Sequence, residues 1–452
     1  MLQNKKINRR QFIKHATIAA GGIVLAAPTI VPSSVFGANA PSNRITMGCI
    51  GMGNQGFLDM SGFLENDDVQ IVAVCDVNTA SYGYKTPSQY LGREPARKKV
   101  DRHYAGKNRS GRYKGCDAYK DFRGVLARKD IDAVLIVTPD HWHAIMTIMA
   151  ARAGKDIYCE KPLTLTIAEG RAMIEAVRRH GIILQTGTML RSNRDTRFAC
   201  ELVRNGRIGE LKRIFTSVEP NNKTAPSGAW QSTLIPKGFD YDMWLGPAPW
   251  QPYHKDRCFY TFRFILDYSG GQVTNFGAHS NDIAQWGNGT EYTGPVEFED
   301  MGGEFPKDGL FNTATRVAFR AKYANGVELI CRTQIPKRYA ARFEGTEGWV
   351  EAGWASYRTY PQSLQKSIIK PDEIHLYESN DHYRNFIDCV KTRKEPIAPV
   401  EIGHRSASIC HLGNIAMMLK RKLQWDPDRE QFINDDQANR MLSRPMRSPW
   451  HL

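Results

Sequence analysis

From Ile45 onward, short apolar runs of strand length alternate with stretches of helical spacing: Ile45 to Ile50, Val69 to Cys75, Ala133 to Val137, Asp156 to Cys159 and Ile182 to Leu184. Such alternation predicts a parallel sheet with helices on both faces. Between the second and third runs, Tyr82 to Cys116 is rich in Lys, Arg, Gly and Tyr and reads as a surface insertion with one short helix around Pro95 to Tyr104. The grammar changes near Leu211. Arg213 to Val218, Thr315 to Phe319, Val327 to Thr333 and Gly348 to Glu351 are β-rich stretches with turns between them, and they predict a second domain with a mainly antiparallel open sheet. Tyr383 to Thr392 and Ser406 to Arg421 have helical spacing, so this second domain is α+β, and a polar tail rich in Arg and Pro follows.

Ahead of these elements, Asn8-Arg9-Arg10-Gln11-Phe12-Ile13-Lys14 leads into an apolar stretch from Ala16 to Val31. The arginine pair with Phe12 and Lys14 resembles a twin-arginine signal, the address of proteins that cross the bacterial inner membrane already folded. An ordinary secretory signal uses the same basic and apolar regions. As a membrane anchor the stretch is poor: Gly21, Gly22, Pro28 and Pro32 interrupt it, and it falls short of the roughly 20 apolar residues that span a bilayer. Cleavage after Gly37, Ala38 or Ala40 is expected, within a Ser/Pro/Gly/Asn linker from Pro32 to Asn43.

The formal charge of +14 suggests nucleic acid, but five basic and no acidic groups lie in the first 40 residues, which leaves +9 on the rest. Those charges are scattered and no basic, aromatic-interleaved motif is present, so no nucleic-acid partner is expected. Nine cysteines, with no Cys-x-x-Cys pair, form neither a disulfide framework nor a zinc ribbon and are expected to be buried thiols.

Chemistry enters at Gly51-Met52-Gly53-Asn54-Gln55-Gly56, which follows the first strand and opens a helical pattern. In that context the first glycine makes the turn, the second admits a pyrophosphate to the backbone, the third packs helix on strand, and the helix N-terminus attracts the anion. Asp76 ends the second strand, 20 residues beyond Gly56. A carboxylate there accepts hydrogen bonds from ribose hydroxyls and repels a 2′-phosphate, so NAD is expected over NADP. The predicted division is a signal and linker over 1–40, an NAD-binding α/β Rossmann domain over 44–187, an α+β substrate and oligomerisation domain over 188–425, and a tail over 426–452.

Thr138-Pro139-Asp140-His141-Trp142-His143 and Cys159-Glu160-Lys161-Pro162 each follow a predicted strand, at the carboxyl ends where open α/β sheets bind ligands. With the Gly51 loop, the Glu160-Lys161-Pro162 triplet and the later segment Gly270-Gly271-Gln272-Val273-Thr274-Asn275-Phe276-Gly277-Ala278-His279, the chain resembles the glucose-fructose oxidoreductase/inositol dehydrogenase (Gfo/Idh/MocA) family over essentially everything after the linker. The resemblance implies that Lys161 lies by the nicotinamide and the substrate hydroxyl, that Pro162 helps fix the backbone, and that His279 is the acid/base. An ammonium so placed stabilises developing alkoxide charge, and an imidazole exchanges protons near neutral pH. The chain departs from the family at Asn275, where aspartate is common: an amide neither takes a proton nor carries charge, which unsettles the detailed acid/base assignment. Asp282, three residues after His279, either supports the site or is a cap or surface residue.

The expected cofactor contacts are the loop from Gly51 to Gly56, Asp76, Thr138, Pro139, His143, Glu160 and Lys161, and the expected substrate contacts are Trp142, Arg191, Arg263 and His279. His141 and His143 alternate as zinc ligands can, yet no third ligand cluster accompanies them, so no metal is expected. Aromatics are dense at Trp230, Tyr241, Trp244, Trp250, Tyr253, Phe259 and Tyr260; such surfaces stack on sugar rings, although each is as good a core residue.

The leading expectation is a periplasmic NAD-dependent dehydrogenase of a sugar, glycoside or polyol, with its cofactor held through export and self-association through an exposed face of the second sheet. The alternatives are a glycosidase that works by transient oxidation and elimination, and a non-catalytic sugar-binding homologue. Replacing Arg9 and Arg10 by Lys should deplete the periplasmic fraction of the protein on cell fractionation; undiminished periplasmic protein would remove the twin-arginine assignment.

Overall fold

In this computed structural model the described residues are 43–108, 110–221, 230–333, 340–353 and 356–452. The signal expected over 1–40 lies outside them, and no helix among the described residues is long and apolar enough to cross a membrane. Residues Ile45 to Leu452 form one compact unit.

Strand β1 (Ile45–Ile50) is buried almost throughout because it lies in the middle of a six-stranded parallel sheet of order β5-β2-β1-β6-β7-β8. Burial on both faces is why these strands read as continuous apolar runs and not as alternating ones. Along the chain, α1 (Asn54–Leu64), β2 (Val69–Cys75), the short hairpin β3 (Ser81–Tyr82) and β4 (Tyr90–Leu91), α2 (Arg93–Lys107), β5 (Asp117–Tyr119), α3 (Phe122–Leu126), β6 (Ala133–Ile136), α4 (Asp140–Arg152), β7 (Asp156–Cys159), α5 (Ile167–His180) and β8 (Leu184–Thr186) follow. The insertion thus holds a hairpin as well as a helix, and the helix is longer than expected. The last strand starts two residues later than its apolar run, because the Ile183 amide donates to Asp156 Oδ1 (2.8 Å). Helix α5 is bounded by a capping box between Thr166 and Glu169 and by Gly181 in the left-handed region, two devices that fix its length.

The second half continues with α6 (Arg194–Arg204), β9 (Leu211–Val218), α7 (Tyr241–Leu245), α8 (Gln272–Asn275), α9 (Gly277–Asn288), β10 (Glu297–Asp300), β11 (Ala318–Lys322), β12 (Glu328–Thr333), β13 (Ala341–Gly345), β14 (Trp349–Ala352), β15 (Tyr357–Tyr360), α10 (His382–Thr392), α11 (Val400–Leu419), β16 (Leu423–Asp426) and β17 (Gln431–Phe432). Its strands form a nine-stranded sheet of order β15-β14-β13-β9-β12-β11-β10-β16-β17, antiparallel except where β9 and β12 run parallel. Helix α11 begins six residues before the expected start at Ser406. It is buried on nearly every side, so it carries no amphipathic period from which its start could be read. The supposed polar tail contributes β17 and then returns to the first sheet, where Trp450 packs edge-on against Trp142 (4.7 Å between ring centres).

All nine cysteines are free and buried. Arg191, expected at the substrate, is instead a core residue with 1% exposure. Its Nε and Nη2 donate to Asp282 (2.7 and 2.9 Å) and its Nη1 to Glu291 Oε1 (2.7 Å), while Ser406 Oγ donates to Asp282 Oδ1 (2.8 Å). Asp282 is therefore neither a helix cap nor a surface group: it ties the segment after β8 to α9 and α11. Removing one partner leaves a buried charge uncompensated, so Arg191→Ala should destabilise the fold by about 3–5 kcal/mol, seen as a lowered denaturation midpoint; a change under about 1 kcal/mol would show that the pair carries little of the packing.

Candidate active site

The carboxyl ends of β1, β2, β6 and β7 open into a cavity of about 310 Å³ whose far wall comes from the second half of the chain. Gly51 has φ +89°, and a Cβ on it would lie 2.4 Å from the Val137 carbonyl oxygen; a Cβ on Gly56 would lie 1.9 Å from the Gly51 oxygen. Both positions exclude any side chain, which leaves the loop's backbone open to the cavity. Gly51, Gly53, Asn54 and Gln55 line the cavity. Met52 and Gly56 do not: Met52 is fully buried in the sheet's core, and its part is played by its amide, which donates to Asp76 Oδ2 (2.7 Å). Asp76 Oδ1 accepts from the Asn78 amide (2.8 Å), and burial pushes the carboxyl up to about 6 against these two hydrogen bonds and Arg93. The carboxyl keeps further lone pairs for ribose hydroxyls. Arg93, from the insertion, was not among the expected residues: its guanidinium is held by the Asp76 carbonyl (3.0 Å) and by Thr79 Oγ1 (2.6 Å).

Tyr84, in the turn of the hairpin, lines the cavity above Gly53, where a Cβ would meet its ring at 3.0 Å. Its ring meets Phe259 (4.5 Å) and Lys85 lies over Tyr260 (5.5 Å), so the insertion and the segment near Phe259 meet across the cavity. Of the aromatics counted in the sequence, Trp244, Phe259 and Tyr260 line the cavity, Tyr241 and Tyr253 are core, Trp230 packs under Arg257, and Trp250 is exposed. Trp142 touches the cavity but is anchored by its Nε1, which donates to the Trp244 carbonyl (3.0 Å).

Lys161 Nζ crosses from the β7 loop to α8 and donates to the backbone oxygen (3.1 Å) and the Oδ1 (3.2 Å) of Asn275. Asn275 Nδ2 donates to Gln272 Oε1 (3.0 Å), which fixes the amide with its oxygen toward the lysine. An ammonium has three donors, so one remains for a reacting oxygen. Burial pushes Lys161 below the usual lysine range, with Arg263 adding to the effect and Glu160, Asp140 and Asp59 opposing it. Behind the lysine, burial and the neighbouring Asp59 carboxyl push Glu160 up to about 8, and burial pushes Asp59 up to about 6. Glu160 Oε2 accepts from the Lys161 amide (3.2 Å), and its Oε1 lies so near Gly187 that a Cβ there would sit 2.0 Å away. Its carboxyl is thus turned back against the sheet.

His143 does not line the cavity. Its ring nitrogens face the Pro162 and Thr138 carbonyl oxygens, both at 2.8 Å. Only an imidazolium donates to two acceptors; although burial opposes the charge, Cys159, Asp140 and the Pro162 carbonyl push His143 up to about 10. It staples the two loops that carry the site and, expected as a cofactor contact, stands behind the cavity wall. Among the described residues no group of His, Cys, Asp and Glu is arranged to hold a metal. His279 is buried on α9, one turn beyond Asn275, and is not among the described residues that line the cavity. Arg263 is, with its guanidinium against the Tyr260 and Phe262 rings (3.9 and 5.0 Å).

Residues 222–452 match the family described as "Oxidoreductase family, C-terminal alpha/beta domain", and residues 96–188 match "Oxidoreductase family, NAD-binding Rossmann fold". The chain belongs to the Gfo/Idh/MocA oxidoreductase family. A curated relative, a glycosyl hydrolase family 109 protein of Shewanella pealeana, is 32% identical over 232 residues, which are 46% of this chain and 44% of the relative. The match therefore spans less than half of either protein. Among solved structures, the fold is similar to that of aldose-aldose oxidoreductase from Caulobacter crescentus complexed with glycerol (TM-score 0.58, 20% identity, 84% of this chain and 99% of that one). It is also similar to the WlbA dehydrogenase from Bordetella pertussis in complex with NADH and UDP-GlcNAcA (TM-score 0.57, 15% identity, 85% and 99%). The family's first domain is NAD-binding, and the open backbone of the Gly51 loop together with Asp76 fits such a group.

Because Asp76 gains its proton as the pH falls through about 6, NAD affinity should weaken below that pH in the native protein. In Asp76→Asn it should be weaker at neutral pH and flat across this range, with the preference over NADP reduced about tenfold, an amount worth about 1.4 kcal/mol. Calorimetric titration with both dinucleotides checks this; an unchanged preference would mean that Asp76 does not meet the ribose.

Proposed function

We propose that this protein oxidises a ring hydroxyl of a sugar, glycoside or polyol with NAD, held in preference to NADP, and that it does so after export through the twin-arginine route. The observation that carries the chemistry is Lys161, a half-buried ammonium on the cavity wall, oriented by both oxygens of Asn275 and, among the described residues, left with a donor free. The bound dinucleotide supplies a hydride acceptor. Lys161 holds the reacting oxygen and stabilises negative charge as it develops there. Aromatic walls at Trp244, Phe259 and Tyr260 offer flat apolar faces to the C–H faces of a ring. Self-association through the outer face of the nine-stranded sheet belongs to the same proposal, supported by the exposed Tyr360 stacked on Trp349 (6.4 Å).

A second reading has its own support in the relatives named as glycosyl hydrolases: oxidation of a ring carbon by the dinucleotide acidifies the neighbouring C–H, so an aglycone can be eliminated, water can add to the resulting enone, and return of the hydride from the reduced dinucleotide restores the ring hydroxyl. The two readings part on products. In the first, a panel of free hexoses, inositol and methyl glycosides reduces NAD in a single turnover; in the second, a p-nitrophenyl glycoside releases nitrophenol with no net reduction of the dinucleotide. Under either, Lys161→Ala should lower turnover about 10²-fold or more with dinucleotide affinity within about threefold of native. Full activity in that variant would remove Lys161 from the chemistry.

A further inference from the structure

We propose that Asp140 is the base that takes the proton from the reacting hydroxyl, a role that rests on the oxidoreductase reading above. The residues first in line for it are not placed to serve. Asn275 is an amide, His279 is not among the described residues lining the cavity, and Glu160, although it lines the cavity and has a buried Oε1 without a hydrogen-bond partner among the described residues, has that oxygen against Gly187 and its Oε2 on the Lys161 amide. Asp140 lines the cavity at the start of α4, is only 4% exposed, and has a buried Oδ2 with no hydrogen-bond partner among the described residues. A carboxylate oxygen so buried is costly unless a ligand completes it, and a substrate hydroxyl is the donor it lacks. The first turn of a helix also favours a carboxylate, but that role requires neither a place on the cavity wall nor a buried oxygen left unpaired.

The groups that face Asp140 come from three parts of the chain. His143 lies one turn on along α4, Lys161 in the β7 loop, and Arg263 and Ser269 in the segment before α8. Burial raises the carboxyl, while His143, the Ser269 hydrogen bond, Arg263 and Lys161 pull it down, and the balance stays above the ordinary aspartate range. That is the direction a base working near neutrality needs. In the step, the substrate O–H bond breaks and its proton goes to Oδ2. The electron pair left on oxygen closes the C=O bond, and the carbinol carbon gives up its hydride to the oxidant, a nicotinamide dinucleotide. Lys161 holds the oxygen throughout. Proton acceptor and oxyanion stabiliser are thus separate groups on one wall, and Asp140 restores to the site the carboxylate that position 275 lacks.

The test uses the full-length protein and the isosteric Asp140→Asn. With ¹³C-labelled aspartate, the resonance lost in the variant reports the Asp140 carboxyl in dinucleotide-free protein; it should titrate above the ordinary aspartate range, and an ordinary or lowered value would overturn the assignment. NAD affinity should stay within about threefold of native, while turnover of whichever hexose, inositol or methyl glycoside reduces NAD should fall at least about 10²-fold, with the acid limb of the pH profile lost. Turnover within about threefold of native, or an acid limb that persists in the variant and vanishes in His279→Asn, overturns the proposal. If no member of the panel reduces NAD in the native protein, the sugar-oxidising reading fails by itself, and the carboxyl titration alone then decides whether Asp140 is poised as a base.

Discussion

The site depends on one half-buried ammonium that two unlike parts of the chain hold between them. Lys161 follows an interior strand of the parallel sheet, and Asn275 belongs to a helix of four residues in the second half of the chain. A lysine partly shielded from water is costly to charge, and the two oxygens that receive it are neutral. The remaining balance comes from carboxyl groups at longer range, Glu160, Asp140 and Asp59, each buried and each raised above its usual range. A cluster of this kind shares protons instead of fixing charge at one atom, which suits a reaction in which a proton and a hydride leave neighbouring atoms.

Around this cluster, structural charges are arranged to remove freedom. The His143 imidazolium joins the carbonyls of Thr138 and Pro162, so the loops after β6 and β7 cannot part without losing both hydrogen bonds. The Arg191 fork on Asp282 and Glu291 does the same beneath α9. Preorganisation of this sort lets a few donors act on developing charge without reorganising at the moment of reaction. The opposite wall is softer: Tyr84 and Lys85, on a short hairpin of the insertion, meet Phe259 and Tyr260 through rings alone.

Much of this was written locally and is legible in order along the chain. The glycine loop, Asp76 at a strand's end, and Lys161 just after the strand Asp156–Cys159 follow from spacing, because a strand, a tight turn and a helix N-terminus are each specified within a few residues. Apolar runs buried on both faces gave five of the first sheet's six strands to within one or two residues at most boundaries, β5 being too short and too exposed to form such a run, and Asn275 stood out as an amide where a carboxylate was expected.

What the sequence could not decide is which side chains share a space. Arg191 and Arg263 are alike as residues, yet one is locked in the core by Asp282 and Glu291 while the other stands on the cavity wall against two aromatic rings. His143 lies in the same motif as Asp140, three residues away, but one faces two carbonyls behind the wall and the other the cavity. The start of α11 was hidden because a helix buried all round has no polar face to mark its period. Local sequence determined the backbone frame through propensity, turns and periodicity; burial and long-range pairing, set only when distant segments pack, decided which charges became structure and which were left for chemistry.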